Sequence, residues 1–127
     1  MPITVEMIKD NTIVVQTYSD PVDMKQMYDL KDQMARNILA SAAHKLHIIA
    51  DFSQVKNLPG MILSRGAFML SNAHPNTGVV IIVTKDSFVT RMAQIFARLS
   101  PKQEIRVTAS LEEAIEIAEH YQRAAQP

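Results

Sequence analysis

The chain has no cysteine among its 127 residues. That excludes disulfides, thiol nucleophiles and thiolate metal sites. It has three glycines, and neither G-x-x-x-x-G-K-[ST] nor G-x-G-x-x-G occurs. A phosphate-cradling loop needs clustered glycines, so nucleotide binding of that kind is not expected and no cofactor is implied. Excess charge is also missing, because thirteen basic residues balance thirteen acidic ones. Neither nucleic acid nor an anionic membrane is then a default partner. The longest apolar run, 79–83, falls far short of the ~20 residues of a membrane span. The opening MPITVEMIKD places an acid and a lysine where a signal peptide carries an apolar core. The chain therefore reads as a soluble, cytoplasmic protein.

What is present is the pattern of one α/β domain covering 1–127, with 123–127 as a frayed tail. Residues 3–8 (ITVEMI) and 13–18 (IVVQTY) flank the polar KDNT and predict a β-hairpin. Asp20 and Pro21 supply a cap and a first-turn proline for a helix from Val22 to about Ala43. Met27, Leu30, Met34, Ile38 and Ala42 form its apolar stripe. A short buried strand, 46–50, is expected to end at Asp51. A second helix is expected over 61–72, after Pro59-Gly60. Residues 79–83 form the clearest buried strand. A third helix, capped by Asp86 or Ser87, is expected to turn Phe88, Met92, Ile95, Phe96 and Leu99 inward. Residues 104–108 alternate like an edge strand. SLEE, 110–113, is a capping box for a last helix with Leu111, Ala114, Ile115, Ala118 and Tyr121 inward. Strands alternating with helices require crossovers, hence a mainly parallel sheet with an antiparallel first hairpin and about four helices.

Ligands of such sheets gather at the carboxyl ends of the strands. Asp51, Thr84 and Lys85 lie there and raise a receiver-like phosphoacceptor as an alternative. The Mg²⁺-holding acids of that chemistry have only Asp20 and Asp23 to supply them, and both suit a helix start better. Ser53, His74 and Asp51 spell a hydrolytic triad on paper, but no G-x-S-x-G elbow exposes the serine. His44, His47, His74 and His120 are spaced for structural roles rather than for zinc. The sequence thus points away from an enzyme and from a bound metal. Eight methionines, among them Met24, Met27, Met34, Met61, Met69 and Met92, suit an adaptable core. They also suit a seat for a small apolar ligand, so a carrier or sensor of such a ligand is the alternative function.

The first hairpin, KLHIIADFSQV, the helix after NLPG, TGVVIIVTK and EIRVTASLEEAIEIAEHY follow one another in an order that resembles the STAS superfamily. The SpoIIAA-like, anti-sigma-factor-antagonist branch is the nearest in pattern. The resemblance runs from about Ile3 to Tyr121. It implies a non-enzymatic regulatory module that binds another protein, a regulatory kinase or an anti-sigma-like factor. It also implies a phosphorylated Ser or Thr at the start of the helix after KLHIIADFSQV. A phosphate there adds about −1.5 to −2 charges to a docking surface. This sequence departs from that pattern: Leu58-Pro59-Gly60-Met61 contains no hydroxyl. Ser53 and Ser64 are the nearest candidates for phosphorylation. The implied partner-binding face holds Ser53, Lys56, Asn57, Pro59, Gly60, Ser64 and Arg65. On the residues' own chemistry, Asp51 and Ser53 shape the turn that leads into it. A homodimer through the edge strand or an apolar helix face is a further option.

Overall fold

The computed structural model describes residues 3–58, 74–99 and 103–124. The expected helix over 61–72 lies outside them. β1 (Ile3–Ile8) and β2 (Ile13–Ser19) form the hairpin. They are followed by α1 (Met24–Met34), β3 (Leu46–Gln54), β4 (Thr77–Val83), α2 (Ser87–Leu99), β5 (Ile105–Thr108) and α3 (Leu111–Ala124). One sheet of order β1-β2-β3-β4-β5 results, antiparallel only between β1 and β2. Its order never reverses. Right-handed crossovers in such a sheet put the connecting helices on one face. Met27 of α1 and Val89 of α2 share a core with Ala50, Val80 and Ile82 on that face. α3 returns to the other face, where Ala114 and Ala118 pack on Ile13, Ile49 and Ile81. β3 and β4 are thereby buried on both sides, which explains their nearly unbroken apolar runs.

The hairpin turn is tight. Lys9, Asp10 and Asn11 take φ of 53°, 57° and 59°. Thr12 closes the turn by donating its hydroxyl to the Lys9 carbonyl at 2.6 Å.

α1 departs from expectation at both ends. Asp23, not Asp20, is the cap: its carboxylate accepts the Gln26 N–H at 2.8 Å, and the Gln26 side chain accepts the Asp23 N–H. The helix stops at Met34, and Ala35–Leu39 continues as a π-helical turn. A π turn carries an extra residue per turn, so the buried positions step from Met34 to Leu39. Ile38, the position an α-helical stripe selects, is only partly buried.

β3 does not end at Asp51. It runs on to Gln54, and Asp51 pairs in register with Thr17 and Val83. On α2 the inward face is Val89, Met92, Ala93 and Phe96. Phe88, Ile95 and Leu99 are instead 54%, 45% and 66% exposed. Ala93, with no exposure, lets the helix backbone sit close to the sheet; a reading that counts only large apolar side chains overlooks it. Leu111 likewise faces outward at 36% exposure, while Ala114 and Ala118 are fully buried.

Left-handed backbone costs an L-residue roughly 1–2 kcal/mol, and glycine avoids that cost. Asp10→Gly, at an exposed position of the turn, should therefore raise stability by about 0.5–1 kcal/mol. Urea unfolding checks this, with an unchanged slope and a higher midpoint as the expected result.

Candidate functional site

The face covered by α1 and α2 carries a cavity of about 420 Å³. Alternation along the strands builds its floor. Ile48, Ala50 and Phe52 of β3 point into it, as do Val80 and Ile82 of β4. Met27, Leu30 and Met34 of α1 form one wall, and Val89, Met92 and Phe96 of α2 form the other. Leu39, delivered by the π turn, also lines it.

Two polar side chains sit among these. Tyr18 Oη donates to Gln16 Oε1 at 2.7 Å, and Gln16 Nε2 donates to Met34 Sδ. Both are buried. Burial pushes the Tyr18 phenol far above its ordinary range, so it stays neutral. Its ring stacks on Phe52 with centroids 4.4 Å apart. The pair satisfies itself and leaves the surrounding surface apolar. Among the described residues Lys31 is the cationic side chain of the lining, His74 also lines it, and no carboxylate does.

At the carboxyl ends of the strands, Asp51 is buried and accepts the Ser53 N–H at 2.9 Å. It holds the strand end rather than a turn. Asp20, freed from helix capping, accepts the N–H groups of Lys56 at 2.9 Å and Asn57 at 3.2 Å. That bond pair fixes the segment after β3 to the segment after β2. Ser53, Lys56 and Asn57 are exposed around it. Pro59, Gly60, Ser64 and Arg65 lie outside the described residues.

The receiver set does not assemble. Thr84 is buried and its hydroxyl accepts the Asp86 N–H at 3.0 Å. Asp86 itself caps α2 through the N–H groups of Phe88 and Val89. No cluster of three His, Asp or Glu converges among the described residues. The paper triad does not assemble either. His74 Nδ1 accepts the Asn76 N–H, and no hydrogen bond among the described residues joins it to Ser53 or Asp51.

The amino ends of the strands hold a second, more polar cavity of about 640 Å³, lined by His44, Lys45, His47, Glu104 and Tyr121. Sequence reasoning took these histidines as structural, and for His47 the geometry agrees. Its Nδ1 accepts the Val79 N–H at 3.1 Å, which leaves the ring proton on Nε2. Gly78 is required beside it, because a Cβ there would stand 2.4 Å from Nδ1. Tyr121 links Glu104, to which it donates at 2.8 Å, with Arg106, from which it accepts at 3.3 Å.

No family model matches the chain, and no curated protein matches it. Solved structures do. An uncharacterised protein of the DUF3478 family from Shewanella loihica PV-4, with a SpoIIAA-like fold, superposes with a TM-score of 0.65. The match covers 91% of each chain at 12% identity. An anti-sigma factor antagonist from Mycobacterium paratuberculosis superposes with a TM-score of 0.57, over 92% of this chain and 94% of that one, at 19% identity. At such identities the likeness is one of fold. The chain has the SpoIIAA-like fold that its order of elements resembles.

Two measurements follow from this geometry. Burial, and then the neighbouring His44, lower the His47 pKa from its ordinary 6.5. Just below pH 6.5 the unfolded chain then binds a proton that the folded chain refuses. Stability should fall as pH drops from there toward the folded-state pKa, and be fully present above. His47→Gln should flatten that part of the profile, read as the difference between the two urea midpoints at each pH. Asp20→Ala should speed amide exchange at Lys56 and Asn57 by about tenfold or more, with β4 unaffected.

Proposed function

We propose that the chain is a non-enzymatic regulatory module that works by binding, and that a small apolar ligand occupies the cavity between the sheet and helices α1 and α2. The observation that carries this reading is the cavity. Its volume, about 420 Å³, lies in the range of small-molecule sites. Among the described residues its lining is apolar apart from the Gln16–Tyr18 pair, Lys31, His74 and Thr77. A ligand that fills the space would remove its apolar lining from water. The three methionines of the walls, Met27, Met34 and Met92, can repack around apolar molecules of different shape.

The likeness to an anti-sigma factor antagonist supports a second reading, protein docking at the face that includes Ser53, Lys56 and Asn57. Asp20 favours it, since it pre-orders the backbone there. In that reading a phosphate on Ser53 or Ser64 weakens docking by the added charge. The two readings are compatible, since a ligand in the cavity touches Phe52 and Leu58 beside that face.

The test uses the uncharged probe N-phenyl-1-naphthylamine with the intact protein. Wild type should bind it with a fluorescence rise. Ala50→Leu, which extends a floor residue into the cavity, should lower the affinity about tenfold while leaving the fold as stable or more so. Absence of probe binding by wild type, or unchanged affinity in Ala50→Leu, would sink the carrier reading and leave the docking one.

A further inference from the structure

Among the described residues, the large apolar side chains left exposed are concentrated on α2. Large hydrophobic side chains that remain exposed among the described residues are Val5, Phe88, Ile95, Leu99 and Leu111. Three of the five belong to this helix. Their spacings of seven and four put all three within an arc of about 40°. They form a single line along the helix rather than scattered exposure, and such a line marks a contact surface. Arg91 and Arg98 run beside it, on the flank away from the buried Val89, Met92 and Phe96. Both arginines are exposed. No ion pair among the described residues involves either of them. α2 contains no acidic residue from Ser87 to Leu99, and Lys85 with the capping Asp86 precedes it.

From this we infer that the exposed face of α2 is a docking site for an acidic amphipathic helix of a partner protein. Phe88, Ile95 and Leu99 would meet its apolar stripe, and Arg91 and Arg98 would meet its flanking carboxylates. The mode is an apolar stripe read at helical spacing, with the charges setting the choice of partner. Phe and Arg are also residue types enriched in protein interfaces. A second copy of this chain fits poorly. Two α2 faces laid antiparallel would set one arginine row against the other, and laid parallel would leave both rows without carboxylates from α2. The chain's own acidic helix, α3, has committed Ala114 and Ala118 to the sheet and presents only Leu111 among its exposed large hydrophobics. The inference stands on a different surface from the cavity and does not need it filled.

The probe is a labelled synthetic helix with leucines at alternating spacings of three and four and glutamates on both flanks. Its control carries lysine for every glutamate. Fluorescence anisotropy on the intact protein should show at least about tenfold preference for the glutamate peptide, weakening with added salt. Arg91→Glu with Arg98→Glu should invert that preference. Phe88→Ser with Leu99→Ser should abolish binding of both peptides. Circular dichroism checks that the variants fold, and the peptide comparison on wild type needs no variant at all. Equal binding of the two peptides by wild type, or binding of neither, would overturn the inference. So would charge reversal without effect, tighter binding to anionic phospholipid vesicles than to the glutamate peptide, or a wild-type dimer that Phe88→Ser with Leu99→Ser splits.

Discussion

Burial of β3 and β4 on both faces is the constraint from which the rest follows. Ile49 and Ile81 have no exposure on one face, and Ala50, Val80 and Ile82 are buried on the other. Covering a side chain of this size is worth about 1.5–3 kcal/mol, so neither face can be left to water. A sheet whose order never reverses places its crossover helices on one side only. The opposite side is covered after the last strand, by α3. The small residues Ala114 and Ala118 bring that helix close. The two faces then diverge in character. The α3 face carries one core cluster, whereas the α1 and α2 face carries the cavity.

Much of this was legible in the sequence, and the failures share a cause. The hairpin, the order of elements, the parallel sheet and the apolar strands are written in local patterns of two and of three to four residues. The π turn at Ala35–Leu39 is not, because a search for helical periodicity assumes 3.6 residues per turn. The inward face of α2 was misread because two apolar stripes compete there. Tertiary packing chose the one with the smaller side chain, Ala93. Asp20 looked like a helix cap because Asp-Pro often is one. Its partners, the N–H groups of Lys56 and Asn57, lie 36 and 37 residues away and leave no local trace. Asp51 looked terminal because an acid rarely belongs inside a strand, yet the neighbouring Ser53 N–H satisfies it in place.

The cavity illustrates the same limit from the other side. Its floor is visible in sequence as alternate residues of two strands, and its methionines stand out by number. That three of them line one cavity depends on how α1 and α2 are placed over the sheet. The inward-facing Gln16 and Tyr18 are another such case. A polar residue on an apolar strand face suggests a site when read alone. Bonded to each other, these two satisfy their own polar groups and leave the neighbouring side chains apolar.

The distribution of charge has one more consequence. A formal net charge of zero describes the sum and not the arrangement. α2, on one face of the sheet, carries arginines and no acids. α3, on the opposite face, opens with Glu112 and Glu113 and continues with Glu116 and Glu119. These two helices therefore set opposite charge on opposite faces of the sheet. A charged body nearing the sheet meets a local field whose sign depends on which of the two helices it approaches.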